Sequence, residues 1–332
     1  MAFLFFQRMV AGPIKLFKYG RKDLHMKWKK LASLTLALSL SVSLAACSGG
    51  GSATAPSPTA APATTPVIPV ETASADAPKL VENGVFKVAM ECAYAPFNWT
   101  QSDDSNGAVP ISGTPDYAYG YDIMFAKKIA EQLGCELEVV KMEWDALIPA
   151  LQSGTVDAVI AGQCITAERA AQVDFSDPYY YASIVCLVKG DGAYADAAGI
   201  SSFEGAKATS QLGTVWYDTC LPQVPGIELL PAQESVPAML VALDSGAVDL
   251  VVTDQPTALS ACKAYPDMKM LDFSGTEDDF NVSEEETNFG ISVQKGNTGL
   301  TGVINEVLSQ YTPDDYTAMM DEAITVQPLN QE

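Results

Sequence analysis

Histidine is almost absent from this sequence, and arginine is nearly as scarce. The 332 residues contain one histidine, His25, and beyond it one arginine, Arg169. The residues after His25 therefore cannot form a Ser-His-Asp triad, a Cys-His pair or a histidine-ligated metal site. No CxxC spacing occurs either. These absences exclude histidine-dependent catalysis, and we expect neither a metal nor a cofactor.

Positive charge is also in short supply. From Cys47 to the end, the chain carries 11 Lys and Arg against 40 Asp and Glu, a net charge of −29. A surface this acidic argues against nucleic-acid binding and against attraction to anionic lipids. Because like charge suppresses self-association, we expect a monomer.

The N-terminal region has the composition of an export signal followed by a linker. Residues 26–46 have a basic start, an apolar stretch and small residues before Cys47, which predicts a lipoprotein signal peptide and a lipidated (palmitate-bearing) Cys47. An uncleaved membrane anchor is the alternative. Residues 1–25 fit no second signal, so we interpret them as a mis-called start before Met26. Residues 47–78, rich in Ser, Thr, Ala, Gly and Pro, predict a disordered tether that holds an extracytoplasmic protein to the membrane.

The remaining 250 or so residues are enough for two domains with ordinary cores. Six cysteines follow Cys47, and an exported protein can oxidise them. The sequence alone leaves both disulfides and buried free thiols open for Cys92, Cys135, Cys164, Cys186, Cys220 and Cys262.

A twelve-residue pattern occurs twice, as "LQSGTVDAVIAG" ending at Gly162 and as "LDSGAVDLVVTD" ending at Asp254. Each copy has a Ser-Gly break of the kind that ends a helix, then Val-Asp and a β-branched run that predicts a buried strand. The copies lie in two halves that alternate short strands with amphipathic helices, which predicts two α/β lobes with mostly parallel sheets. Since ligands bind beyond the carboxyl ends of such strands, we expect both final residues at a cleft. The alternative is that the sequences of two unrelated helix–strand junctions are similar by chance.

Two charged residues lie at or near the ends of the two predicted strands: Arg169 follows the first copy of the repeat, and Asp254 ends the second. The guanidinium of Arg169 can hold a carboxylate in a bidentate manner, although a surface pair with Glu168 or Asp174 is the alternative. Asp254 can hold an ammonium group, or it can cap the helix that begins near Pro256. Together the two charges predict that a zwitterionic α-amino acid binds between the lobes.

Several ordered segments resemble the type II extracytoplasmic amino-acid-binding proteins of ABC importers, the bacterial solute-binding protein family 3. The resemblance runs from about Val85 to the C-terminus and rests on "GYDIMFAKKIAEQLG", "WDALIPALQSGTVDAVIAGQCITAERAAQVDFSDPYYY", "LGTVWYD" and "VDLVVTDQPTA". It implies a two-lobed periplasmic-binding-protein fold and a permease as partner. The first lobe would comprise residues 85–181 and 288–332, and the second residues 182–286. Two hinge strands would lie near 181–183 and 284–287.

The resemblance also implies a role for each site residue. Arg169 would bind the ligand carboxylate, and Asp254 would bind its amino group. Further carboxylate donors would come from Gly162, Cys164, Gly213 and Thr214, and the ligand side chain would stack on Tyr94 and Trp144. The chain departs from the family where Cys164 replaces a usual Ser or Thr, where Val215 replaces a frequent polar residue, and where Met124 replaces the second acid of an Asp-x-Asp motif beginning at Asp122.

Glu91 bears on which amino acid would bind. It ends the first strand, where cation-binding members of the family are similar in carrying an acid. A carboxylate near two aromatic rings favours Arg, Lys or His over polar or sulfur-containing amino acids. The alternatives are a solvated Glu91 beside core aromatics, a cleft enzyme such as a cyclic-acid dehydratase using Glu91 as acid or base, and a sensor ectodomain that acts with a receptor.

Overall fold

The computed structural model describes residues 77–328. The predicted start at Met26, the signal peptide, the lipidated Cys47 and nearly all of the tether lie outside these residues. Among residues 77–328, no helix is both long enough and apolar enough to cross a membrane.

Strands and helices alternate through most of the described chain. The strands are β1 Val85–Met90, β2 Ala93–Tyr94, β3 Asn98–Gln101, β4 Val109–Pro110, β5 Tyr117–Tyr119, β6 Glu136–Lys141, β7 Ala158–Cys164, β8 Asp174–Phe175, β9 Tyr180–Tyr181, β10 Ile184–Lys189, β11 Lys207–Thr209, β12 Glu228–Leu229, β13 Leu250–Asp254, β14 Met268–Leu271 and β15 Asn288–Val293. The α-helices are α1 Tyr121–Leu133, α2 Leu147–Gln152, α3 Ala167–Gln172, α4 Val236–Asp244, α5 Gln255–Ala264, α6 Glu284–Thr287, α7 Thr298–Leu308 and α8 Pro313–Val326.

Two larger sheets define two lobes. The first lobe is built on the order β6-β1-β7-β15-β8, with β9 also paired to β15, and the second on β12-β11-β13-β10-β14. In each lobe the central pairs are parallel: β1 with β6 and β7, and β11 with β12 and β13. A third, antiparallel sheet, β2-β3-β5-β4, joins the first lobe through a bridge from Ile111 to Val139 of β6.

The chain crosses between the lobes twice, and the strand that follows each crossing is antiparallel to its neighbours. Strand β10 comes directly after β9 of the first lobe and runs antiparallel to β13 and β14. Strand β15 returns from the second lobe and runs antiparallel to β7 and β8. A strand entered from another lobe needs no helical crossover, so it can pair in either direction.

The two segments that cross between the lobes are adjacent and hydrogen-bonded to each other. Tyr181 pairs with Asn288 across β9 and β15, and the Ala182 N–H donates to the Thr287 carbonyl at 2.9 Å. The prediction of a hinge strand at 284–287 is wrong, because these residues form helix α6. The local cause is a capping box, in which the Ser283 hydroxyl accepts from the Glu286 N–H while the Glu286 carboxylate accepts from the Ser283 N–H.

The twelve-residue repeat folds in the same way in both lobes. In the first copy α2 leads into β7, and in the second α4 leads into β13. The glycine of each Ser-Gly pair has a left-handed backbone, with φ of +72° at Gly154 and +74° at Gly246. Such a conformation ends a helix at little cost only in glycine.

The shared Val-Asp explains the rest of the repeat. Asp157 accepts from the Lys87 N–H of β1 at 2.8 Å and donates its own N–H to the Lys87 carbonyl. Asp249 makes the same pair of bonds with Lys207 of β11, at 3.0 and 2.7 Å. In each lobe the aspartate therefore links the start of the following strand to its parallel neighbour. The similarity between the two copies has a structural cause and did not arise by chance.

Candidate ligand-binding site between the two lobes

The two copies of the repeat end at the same side chain, the buried ring of Tyr94. Gly162 has a φ of +61°, and a Cβ there would lie 2.5 Å from Cε1 of Tyr94. On the other side, the Tyr94 hydroxyl donates to Oδ2 of Asp254 at 2.7 Å. The repeat therefore ends in glycine where the ring passes closely and in aspartate where its hydroxyl is bound.

Asp254 is fully buried, as the last residue of β13 and the N-cap of α5. Its Oδ1 accepts from the Thr257 N–H at 2.9 Å, so the predicted capping role is present. Burial raises the pKa of this carboxyl, and the hydrogen bonds from Tyr94 and Thr257 oppose that rise. The capping carboxylate also bonds across the cleft, since Tyr94 belongs to the first lobe.

Arg169 extends from α3, whose N-cap is Thr166, toward the second lobe. Its guanidinium donates to the carbonyls of Cys164, at 3.1 Å, and Gly213, at 3.0 Å. It also lies over the Trp144 ring, 5.2 Å from the ring centre, which favours the cation electrostatically. The alternative pairing with Asp174 is not formed, because Asp174 pairs with Lys295 at 2.8 Å.

Glu91 directly follows β1 and is 4% exposed, so the alternative of a solvated strand-end glutamate is wrong. Its Oε1 accepts from Nε2 of Gln211 in the second lobe at 2.8 Å. Its Oε2 has no hydrogen-bond partner among residues 77–328. Burial raises the pKa of Glu91 to about 8, and the bond from Gln211 opposes this rise.

Tyr94 and Arg169, but neither Glu91 nor Asp254, line a small inner cavity of about 10 Å³, close to the space that one water molecule needs. Both lobes contribute to its lining, which is Tyr94, Trp144, Gly162, Cys164, Arg169, Gln211, Thr214, Val215 and Trp216. An outer cavity of about 590 Å³ shares Trp144, Arg169, Thr214 and Val215 with it. Five carboxylate side chains also line that outer cavity: Asp145, Glu168, Asp218, Glu285 and Glu286.

A buried hydrogen-bond chain supports the floor of the site. The Gly162 N–H donates to the Tyr179 hydroxyl at 2.9 Å, and that hydroxyl donates to Asp122 at 2.6 Å. Asn98 also donates to Asp122, and it accepts from the Cys92 N–H next to Glu91. Burial raises the pKa of Asp122 to about 7 despite these donors. The Gly162 N–H, predicted as a donor to the ligand, is therefore already bonded within the first lobe.

Other predicted donors are arranged differently from the expectation. Gly213 has a φ of +66° and accepts from Arg169 through its carbonyl. After Thr214 the chain forms a π-helical turn, Trp216–Cys220, which continues into a 3-10 turn, Leu221–Gln223. Cys164 is buried, which raises the pKa of its thiol to about 11 although Arg169 opposes the rise. All six cysteines of the described chain are free thiols.

Two cavity residues were missed by the sequence analysis, Gln211 and Trp216. Gln211 is 2% exposed, and Trp216 has its ring centre 6.1 Å from that of Tyr94. Gln211 directly precedes the "LGTVWYD" segment that carries part of the family resemblance, and Trp216 lies within it. Their closeness to Gly213 and Thr214 in sequence is the one signal that could have identified them.

Comparisons with known proteins agree with this architecture. The family model of the bacterial extracellular solute-binding proteins, family 3, matches residues 86–324. The L-cystine-binding protein TcyJ of Escherichia coli is 27% identical over 244 residues, 74% of this chain and 84% of that protein. A probable histidine-binding protein of Neisseria gonorrhoeae is 30% identical over 242 residues, 71% of this chain and 81% of that protein.

A solved structure shares the fold. It is an amino acid ABC transporter substrate-binding protein from Streptococcus pneumoniae bound to L-arginine, with a TM-score of 0.63 and 27% identity. The match covers 73% of this chain and 94% of that one. The predicted two-lobed α/β fold is thus confirmed.

Proposed function

Because the chain belongs to the bacterial extracellular solute-binding proteins, family 3, we propose that it captures an L-amino acid between its lobes and delivers it to the permease of an ABC importer. The cargo would be released unchanged, since the protein's role is binding. A cationic amino acid, such as arginine, lysine or histidine, is the favoured cargo.

The observation that carries this proposal is a set of three charged side chains, each bonded across the cleft. Arg169 bonds to Gly213, Glu91 to Gln211, and Asp254 to Tyr94. One cation and two carboxylates complement the α-carboxylate, α-ammonium and side-chain cation of a basic amino acid. The acidic lining of the outer cavity supports the same cargo, because it raises the local concentration of cations.

Capture would proceed by closure of the lobes about the two adjacent segments that cross between them. We propose that residues 85–181 with 288–332 move as one body and residues 182–286 as the other. The paired backbones at Tyr181 and Asn288 supply a narrow connection of the kind that absorbs hinge motion. Closure would bring Arg169 onto the α-carboxylate and Asp254 onto the α-ammonium group of the amino acid.

The protein would act outside the cell membrane. We propose cleavage after residue 46, lipidation of Cys47, and a monomer that reaches the permease on the tether of residues 47–78. The family description, which is extracellular, and the order of signal, cysteine and low-complexity segment support this placement.

Thermal unfolding with and without amino acids tests the function. The chain from residue 47, carrying Cys47→Ser, is heated with each common amino acid, ornithine or cystine at about 1 mM. With a dissociation constant near 1 μM, binding adds about 4 kcal/mol, which raises Tm by the order of 10 °C. Arg169→Lys should remove most of this shift, since an ammonium cannot form the bidentate contact. If no amino acid stabilises the folded wild-type chain, the proposal is wrong.

A further inference from the structure

Lys295 holds the C-terminal end of the helix that carries Arg169. Its ammonium group donates to the carbonyl of Ala170 at 2.6 Å and to that of Val173 at 3.2 Å. It also pairs with Oδ1 of Asp174 at 2.8 Å, so its three donors have three acceptors. Lys295 therefore connects the loop after β15 with the end of α3.

The pairing of β8 with β15 brings Lys295 to this position. Val293 pairs with Asp174, so the residues after Val293 run antiparallel past those that precede Asp174. The contact is held from both sides, because Oδ2 of Asp174 accepts from the Gly296 N–H at 2.7 Å. The bond from Lys295 holds the pKa of Asp174 below its usual range, so the pair stays ionised at neutral pH.

Helix α3 needs such support because it is short. It has six residues, Ala167–Gln172, and a helix of this length gains little stability from its own hydrogen bonds. At its start, the Arg169 N–H donates to the Thr166 hydroxyl at 3.3 Å. At its end, the last carbonyls carry a partial negative charge that favours a nearby cation. Lys295 supplies that cation from another element of the same lobe.

The position of α3 matters for the site because Arg169 reaches the cleft from it. The guanidinium is held by one carbonyl of each lobe, Cys164 in the first and Gly213 in the second. If the lobes separate, the bond to Gly213 is lost, and the contacts with Cys164 and the Trp144 ring remain. The direction of the guanidinium before closure therefore depends on how firmly α3 holds the backbone of Arg169.

We propose that Lys295 is a positioning residue for the α-carboxylate of the cargo: by fixing the end of α3, it keeps the guanidinium of Arg169 oriented into the cleft. This inference rests on the proposed function, in which Arg169 binds that carboxylate. Lys295 lines neither cavity, so it would act on binding only through α3. Because all α-amino acids carry the same carboxylate, loss of Lys295 should weaken each of them by a similar factor.

Lys189 offers a matched control in the second lobe. Its ammonium group donates to the Asp244 carbonyl at the end of α4, at 3.3 Å, and pairs with Oδ1 of Asp244 at 3.0 Å. The interaction has the same parts as that of Lys295, a helix-terminal carbonyl and an aspartate. Helix α4 carries no proposed ligand-binding residue. The two lysines therefore separate a general loss of stability from an effect on Arg169.

Calorimetric titration with L-arginine, L-histidine, L-glutamine and L-cystine tests the inference. The proteins are the wild type, Lys295→Met, Lys295→Arg and Lys189→Met. Methionine has a side chain of similar length without the ammonium group, whereas arginine keeps the charge and the donors. Unfolding curves without amino acid measure the stability of each variant separately.

We expect Lys295→Met to weaken every amino acid that the wild type binds by a common factor of about fivefold, the size of a cation's effect at a helix C-terminus. Lys295→Arg should keep most of the wild-type affinity. Lys189→Met should leave affinity unchanged while lowering stability at least as much as Lys295→Met, since the Lys189 side chain is less exposed.

Wild-type affinity in Lys295→Met, or an equal loss of affinity in Lys189→Met, would overturn the inference and leave the proposed function intact. A loss confined to one of several bound amino acids would also overturn it, because that result indicates a contact with the cargo side chain. A folded wild type that binds no amino acid would refute the proposed function, and the inference with it.

Discussion

Tyr94 makes close contacts with both lobes, to Gly162 in the first and to Asp254 in the second. Its ring needs a glycine beside it in the first lobe, and its hydroxyl needs an acceptor from the second. Replacing the glycine therefore tests the site more sharply than replacing the ring, because the backbone of Gly162 is also left-handed.

Gly162→Ala should destabilise the protein by about 2–5 kcal/mol, from backbone strain and from the clash with the ring. Gly246→Ala is the matched control, because Gly246 has a φ of +74° with nothing within 4 Å of the added Cβ. Strain alone should cost about 1–2 kcal/mol there. Urea unfolding measures both. Equal losses would mean that the approach of Tyr94 to Gly162 imposes no constraint.

The pH dependence of stability reports on Glu91. Its pKa of about 8 in the folded state lies above the unfolded value of 4.5, so the folded state binds more protons between these values. Its stabilising contribution is complete below about pH 4.5 and is lost as the pH rises through 8, by about 1.4 kcal/mol per pH unit at most. Burial also raises the pKa of Asp122, so this carboxyl makes stability fall with rising pH in the same way as Glu91.

Denaturant unfolding at pH 5, 6.5 and 8 checks this slope. Glu91→Gln should make the free energy of unfolding fall less steeply with pH than in the wild type. Glu143→Gln, at an exposed neighbour, should leave most of the slope in place. A slope that is the same in wild type and Glu91→Gln would contradict the assignment.

At the scale of elements, the aspartate of each repeat ties two parallel strands together, but the two ties differ in burial. Asp157 is 3% exposed and accepts from the N–H groups of both Lys87 and Val81. Asp249 is exposed and accepts from Lys207. The same substitution should therefore cost more in the first lobe than in the second.

Asp157→Ala should lower the free energy of unfolding by about 2–4 kcal/mol, because it leaves two backbone donors without their charged acceptor. Asp249→Ala should cost about 1 kcal/mol, since water can reach its partner. Chemical unfolding of the two variants under the same conditions gives the comparison. If Asp249→Ala cost as much as Asp157→Ala, burial would not be what sets the strength of these ties.

Elements with local signals were predicted well from the sequence. Helix α1 has a periodic apolar face and ends at Gly134, β1 is a short and mostly apolar strand, and β13 has a β-branched run. The antiparallel sheet β2-β3-β5-β4 was missed because its strands have two to four residues, too few to show a period. Helix α6 was taken for a strand, although its Ser-x-x-Glu box was present in the sequence.

Among the site residues, those with an unusual feature could be selected in advance. Arg169 stood out as the only arginine of its region, and Asp254 as an acid closing an apolar strand. Gln211 and Trp216 carry no such signal, because a glutamine and a tryptophan are ordinary residues until packing brings them to the cavity. The contacts across the cleft join residues more than 40 positions apart, which no local pattern encodes.

For the whole molecule, the small volume of the inner cavity bears on how an amino acid could enter between the lobes. A cavity of about 10 Å³ has room for roughly one water molecule and none for an amino acid. Under the proposed function, we therefore expect the lobes to separate and break their cross-cleft hydrogen bonds before they close again on the cargo. Trp216 would become accessible during this opening, because it is 4% exposed when the lobes meet.

Acrylamide quenching of tryptophan fluorescence follows this opening. Without amino acid, the open population should let acrylamide reach Trp216, and saturating L-arginine should reduce the quenching by closing the lobes. Trp216→Phe should lose a large part of that arginine-dependent protection. Trp99→Phe should keep it, since Trp99 is 3% exposed and packs on Tyr119 within the first lobe. Calorimetry shows whether each variant still binds. Quenching that arginine leaves unchanged in a wild type that binds it would mean that the lobes do not open and close around the cargo, and that the small cavity enlarges by local side-chain movement instead.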